Sequence, residues 1–69
     1  MEIKWEEGAE ISVRVEKNAT VVAGNREGLI TLGYLLINLA GQEVGKHVHL
    51  DEGNGLKEGS SEIVLEKVA

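Results

Sequence analysis

The chain has 69 residues and a net charge of −5, with 12 acidic residues, 7 basic residues and no cysteine. Its length fits a single domain, residues 1–69, whose core is too small for a wide stability margin. Without cysteine there is no disulfide framework and no thiolate metal site, and the acidic excess without a basic run disfavours nucleic-acid binding. Partner binding or self-association remains as a source of extra burial, and a basic protein is the easier partner.

The sequence shows no signal for export or membrane insertion. Residues 1–7 contain no basic segment followed by an apolar run, which a signal peptide requires. The uncharged stretch 28–42 is shorter than the roughly 20 residues that a bilayer span needs. We therefore predict a cytoplasmic protein without membrane association.

Two β-strands are predicted in the first third of the chain. Residues 10–16 alternate between apolar and polar side chains, which is typical of a half-buried strand. Residues 17–18 are a tight turn into the β-branched run 19–23, so the two runs form an antiparallel hairpin. Residues 2–5 also alternate and are a further candidate strand. The apolar face of the first strand consists of Ile11, Val13 and Val15.

An apolar helix follows this hairpin. Asn25 is a good N-cap, Glu27 complements the positive helix end, and Gly41 suits the helix terminus. Leucines at three- and four-residue spacings form a stripe predicted to face the sheet: Leu29, Leu32, Leu36 and Leu39. Four apolar residues fall outside that stripe: Ile30, Tyr34, Leu35 and Ile37. They are either the margin of a broad core contact or a second face for self-association, and they are our candidates for a homodimer contact.

A second hairpin is predicted after the helix. Residues 46–51 alternate, with Val48 and Leu50 pointing inward, and a glycine-rich loop leads to the last strand, 61–68. The order ββαββ predicts an α+β fold in which one helix covers one face of an antiparallel sheet of four to five strands. The fifth strand would be residues 2–5.

His47 and His49 are weak candidates for a metal site. Two residues along a strand span roughly 7 Å and place both imidazoles on one face, close enough to share a metal ion. Asp51 continues that row, and Glu62 or Glu66 from the neighbouring strand could complete the site. The simpler interpretation, which we favour, is a row of polar residues on the solvent face of the sheet.

No complete catalytic constellation is visible. The pattern Gly53-x-Gly55 lacks the third glycine of a dinucleotide fingerprint, and the serines at 60–61 have no nucleophile-elbow context. We therefore predict a non-enzymatic protein without a cofactor that acts by stoichiometric binding. The candidate partner-binding residues are acidic: Glu6, Glu7, Glu10, Asp51, Glu52 and Glu58.

Four sequence blocks together resemble a known family. They are GNREGL at 24–29, HVHLD at 47–51, LKEGS at 56–60 and EIVLEKV at 62–68, with the leucine-rich helix between the first two. In this order they resemble the immunity protein family numbered 32, small bacterial proteins that are predicted partners of polymorphic secreted toxins. The resemblance covers residues 10–68. It implies an α+β domain that binds and neutralises a co-encoded toxin, and it supplies no catalytic residues. An acidic surface suits that role, since many such toxins are nucleases with basic clefts.

Two other functions remain open from the sequence. One is a homodimeric scaffold or regulatory domain built on the second apolar face of the helix. The other is a metal-binding domain centred on His47 and His49. A neighbouring gene for a large protein with a toxin-like C-terminal domain would favour immunity over both.

Overall fold

The computed structural model describes residues 2–69 and shows an α+β arrangement of one helix and four strands. In chain order the elements are β1 (Ile11–Glu16), β2 (Ala19–Gly24), α1 (Arg26–Ala40), β3 (His47–Leu50) and β4 (Ile63–Glu66). The order of the elements is ββαββ, and residues 2–5, the candidate fifth strand, have no regular structure. The helix lies between two antiparallel hairpins, as predicted.

The first hairpin forms where the alternation predicts it. β1 and β2 pair antiparallel from Ile11 opposite Gly24 to Glu16 opposite Ala19, with Lys17 in the turn at φ 53°. The inward face of β1 is buried at Ile11 and Val13, each 1% exposed, because Leu35, Leu50 and Leu56 pack against this end of the hairpin. Near the turn no core residue of the described chain packs against this face of β1, and Val15 is 64% exposed.

The second hairpin is separate from the first, so the single sheet of four to five strands is not confirmed. β3 and β4 pair antiparallel in a two-stranded sheet of their own, and β4 is shorter than the predicted strand 61–68. Residues 57–61 run beside the free edge of β1, but only two backbone bonds link them to it, to the carbonyls of Ile11 and Val13 at 2.9 Å each. Gly59, at φ +89°, turns the chain between these two bonds and prevents a regular ladder.

The helix begins and ends at the predicted caps, but its buried face differs from the prediction. Asn25 accepts a hydrogen bond from the Gly28 amide at 2.7 Å, and Gly41 closes the helix. The helical residues that are buried are Gly28, Thr31, Leu35 and Leu39. The prediction that Leu29 and Leu36 face the sheet is wrong, since they are 51% and 45% exposed.

The rotation of α1 has a local cause at its first turn. The backbone of Glu10 crosses Gly28 so closely that a Cβ on this glycine would lie 2.1 Å from the Glu10 carbonyl oxygen. The Glu10 amide also donates to Asn25 Oδ1 at 2.9 Å. Because only a glycine permits this approach, Gly28 must face inward, and Leu29 and Leu36 are turned towards solvent.

A small core joins these elements. It consists of Ile11, Val13, Leu35, Leu50 and Leu56, with partly buried side chains packed around it: Ile3, Leu32, Val48, Ile63 and Leu65. Every buried residue in this set comes from an element that the sequence pattern predicts, except Leu56. The loop 51–56 places Leu56 inward through two backbone bonds, both accepted by the Asp51 carbonyl.

Asn25 is expected to contribute more than an ordinary helix cap. Besides the two bonds that its Oδ1 accepts, its Nδ2 donates to the Gly8 carbonyl at 2.8 Å, so one side chain ties the N-terminal segment to α1. We expect Asn25→Ala to lower the free energy of unfolding by about 2 kcal/mol, the upper end of the usual range for caps. Asn38→Ala, at an exposed helical position whose side chain has no bonded partner within residues 2–69, is the matched control. It should leave urea unfolding unchanged or slightly raise the midpoint.

Candidate binding surface

Two segments that are distant in sequence and carry the candidate acidic residues lie side by side. The ring of Trp5 covers Gly55, where an added Cβ would lie 2.3 Å from the indole. Lys57 Nζ lies 3.2 Å from Glu10 Oε1 and joins the same two segments further along. The structure therefore brings residues 5–10 and 51–59 together at the end of the molecule where α1 begins.

Two of the acidic candidates form side-chain bonds within the fold. Glu10 pairs with Lys57, and both side chains are more than half exposed, so the pair is strongly screened and adds little stability. Glu52 Oε2 accepts a hydrogen bond from the Gly59 amide, which clips the loop 52–59 closed. The charge of Glu52 therefore helps to shape the loop.

The other acidic candidates keep their carboxylates unpaired. Within residues 2–69 the structure shows no hydrogen bond or ion pair to the side chains of Glu6, Glu7, Asp51 and Glu58. Glu7 and Glu58 are exposed, whereas Glu6 and Asp51 are half-buried. Glu6 is held in place by its amide, which donates to Thr31 Oγ1 at 3.0 Å. Four carboxylates that are unpaired within residues 2–69 thus lie on these two adjoining segments.

Trp5 lies between the acidic segments and is 38% exposed. The indole packs against Gly55, and part of the side chain faces solvent. Partly exposed tryptophans supply a large rigid contact area and are common anchors of protein interfaces. The alternation of residues 2–5 predicts only a short strand for Trp5 and does not indicate this position, although a lone tryptophan beside several glutamates is a signal for it.

The predicted self-association face of α1 is divided by the structure. Leu35 is 3% exposed and belongs to the core, so its assignment to an outer face is wrong. Ile30 is half-buried, while Tyr34 and Ile37 are 57% and 70% exposed. The error has the same origin as the misplaced leucine stripe, the rotation imposed at Gly28. Self-association through the remaining residues stays a prediction.

His47 and His49 lie next to each other on the exposed side of β3. Their ring centroids are 5.1 Å apart in an edge-to-face arrangement, and His49 Nδ1 lies 3.2 Å from Glu62 Oε2. His47 Nδ1 instead approaches the Gly45 carbonyl at 3.2 Å. Among residues 2–69 no group of three or more histidine, aspartate or glutamate side chains is arranged to hold a metal ion. Both imidazoles are exposed, so the pair forms a polar row on the surface of β3.

Comparison with known protein families identifies the family of the chain. The sequence profile of the family described as Immunity protein 32 matches residues 19–68, which is well over half of the chain. The chain belongs to the Immunity protein 32 family. No curated protein and no solved structure shows a significant match to it.

The family match covers most of the fold described above. It includes β2, α1 and the whole second hairpin, and with them Asp51, Glu52 and Glu58. The acidic residues of segment 5–10 lie before the matched range. None of the helices in the described part of the chain has the length and apolar character needed to cross a membrane.

Proposed function

We propose that this protein is a non-catalytic immunity protein that binds a co-encoded bacterial toxin and neutralises it stoichiometrically. The observation that carries the proposal is the match to the Immunity protein 32 family over residues 19–68. A role as an antitoxin-like binder also agrees with the surface, which offers exposed charge and an aromatic side chain. The surface also has depressions beside Glu10 and beside Leu36, and both are open to solvent.

The acidic surface formed by segments 5–10 and 51–59 is the proposed contact with the toxin. Its unpaired carboxylates favour a partner with a basic cleft, because complementary charge accelerates diffusional encounter. A toxin that acts on nucleic acid has such a cleft, and an acidic protein seated there would exclude the phosphate backbone of the substrate. Trp5, in the middle of the surface, would supply apolar contact area that charge alone does not.

Co-expression tests the proposed function directly. The toxin domain encoded beside the gene for this chain is expressed from an inducible promoter, with and without this protein. We expect growth arrest without the protein and growth with it, together with recovery of a one-to-one complex from the rescued cells. Growth arrest in both strains, with no complex formed from the purified proteins, would overturn the proposal.

Charge reversal tests the proposed surface. Glu7 and Glu58 are exposed, unpaired and on different segments, so Glu7→Lys with Glu58→Lys changes the charge of the surface without removing a contact that holds the fold. We expect the association rate constant with the toxin to fall by about tenfold at low salt, with a smaller change in the dissociation rate. The difference from wild type should shrink as ionic strength rises, measured by surface plasmon resonance.

A second double variant shows whether the association rate depends on charge at the proposed surface or only on the net charge of the protein. Glu43 and Glu66 are exposed and lie beyond the helix C-terminus and at the end of β4. The helix of 15 residues spans roughly 22 Å, so this end of the molecule is remote from the acidic surface. Glu43→Lys with Glu66→Lys makes the same change in net charge and should slow association much less. Equal slowing by both double variants would show that the proposed surface is wrong.

A further inference from the structure

The outer edge of β2 is an open strand edge. In a hairpin closed by two residues, Glu16 and Ala19 exchange backbone hydrogen bonds, and the bonded pairs then alternate along the ladder. It follows that Ala19, Val21 and Ala23 bond to β1, while the amides and carbonyls of Thr20 and Val22 point away from it.

Hydrogen bonds on the other side of the hairpin confirm this alternation of inward and outward backbone groups. By the same alternation, Ile11 and Val13 of β1 direct their backbone groups away from β2. In the structure the carbonyls of Ile11 and Val13 accept from segment 57–61, and the Val13 amide donates to Ser60 Oγ at 3.1 Å. The β1 edge is therefore covered at Ile11 and Val13, whereas within residues 2–69 no hydrogen bond reaches the outward groups of Thr20 and Val22.

The sequence of this edge lacks the features that protect strand edges. Natural proteins place lysine, proline, inward charges or bulges on such strands to prevent pairing with another chain. β2 reads ATVVAG, with no charge and no proline, in a chain of which 28% is charged. Its pairing with β1 is regular over all six positions, so no bulge interrupts it.

We propose that two copies of this protein associate by antiparallel pairing of their β2 edges about a two-fold axis at Val21. In this register Thr20 of each copy faces Val22 of the other, and each such pair exchanges two backbone hydrogen bonds. Ala19 of one copy faces Ala23 of the other, and Val21 faces Val21 of the other copy. Every facing pair is small or β-branched and uncharged, so two chains of net charge −5 meet where neither carries charge.

Apolar side chains next to the edge support pairing with a second copy. Val22 is 40% exposed, and Leu29 is 51% exposed where it packs beside Gly24 at the end of β2. A two-fold axis at Val21 brings the corresponding side chains of the partner to the same face of the joined sheet. Leu29 also crowds Gly24, where the chain turns into α1, so pairing is confined to Thr20 and Val22. With so few backbone bonds the dimer is weak and forms in the micromolar to millimolar range.

Opposite charges at Val21 test the register. The Val21 side chain lies on the outer face of the hairpin, opposite Arg14, and at the two-fold axis it meets its own copy. Val21→Lys and Val21→Glu should each weaken self-association by at least about tenfold, because like charges then face each other. An equimolar mixture of the two variants should associate again as a lysine–glutamate heterodimer. Sedimentation equilibrium from micromolar to millimolar protein measures all three samples, after circular dichroism has shown that each variant is folded.

Two further measurements complete the test. Val64→Lys, at a position 50% exposed on β4, makes the same substitution away from the edge and should leave self-association at the wild-type level. In the wild-type protein the exchange of the Thr20 and Val22 amides should slow as concentration rises. A wild-type chain that stays monomeric at millimolar concentration with both amides unprotected would overturn the proposal, as would equal loss of association in Val64→Lys. None of these measurements involves a toxin, so their outcome is independent of the proposed function.

Discussion

Gly28→Ala is expected to lower the free energy of unfolding by about 2–3 kcal/mol, although alanine is the better helix former. The new Cβ would lie 2.1 Å from the Glu10 carbonyl oxygen and 2.8 Å from its carbon. Glu10 cannot withdraw freely, because its carbonyl accepts the Asn25 amide at 3.1 Å and its own amide donates to Asn25 Oδ1. Relief of the clash therefore requires the helix to shift away from β1, which opens the core. The midpoint and slope of urea unfolding, followed by the fluorescence of Trp5, the only tryptophan, measure the loss.

Gly33→Ala is the matched control for this prediction. Gly33 lies in the same helix, and nothing stands within 4 Å of the Cβ that alanine would add. Removing a glycine from an open helical position should raise the free energy of unfolding by roughly 0.5–1 kcal/mol. If both variants changed stability in the same direction, the close approach of Glu10 to Gly28 would not be what fixes the rotation of α1.

Leu35→Glu and Ile37→Glu are expected to differ more than any other pair of helix substitutions. Leu35 is 3% exposed in the centre of the core, and its truncation alone costs about 2–5 kcal/mol before the burial of a carboxylate is added. In a domain of this size that loss should unfold the chain at room temperature. Ile37 is 70% exposed, so the same substitution there should change stability by no more than about 0.5 kcal/mol.

Circular dichroism of the two purified variants decides this prediction. We expect a native spectrum with cooperative melting for Ile37→Glu and a disordered spectrum for Leu35→Glu. The folded Ile37→Glu variant also tests whether the outer face of α1 takes part in self-association, because a dimer through that face would be lost while one through β2 would persist. A folded and stable Leu35→Glu variant would instead place Leu35 outside the core, as the leucine stripe predicts.

The sequence by itself determined the elements, and the ends of the first hairpin and of the helix to within one residue. Strict alternation fixed β1, a β-branched run after a two-residue turn fixed β2, and Asn25 with Gly41 fixed the limits of α1. These features depend on residues close in sequence, so local patterns are sufficient to predict them. The blocks that resemble immunity proteins are local as well, and the family match over residues 19–68 confirms that part of the interpretation.

Only the tertiary structure decided how these elements meet. A helix that is apolar on several faces has no single rotation encoded in its periodicity, and the backbone of Glu10 against Gly28 selects one. Segment 57–61 could have extended one sheet, but the turn at Gly59 leaves two hairpins joined by two backbone bonds. The acidic residues lie together because Trp5 packs on Gly55 and Glu10 meets Lys57, contacts between positions about 50 residues apart. Such contacts depend on the shape of the folded backbone, which side-chain periodicity along the chain does not specify.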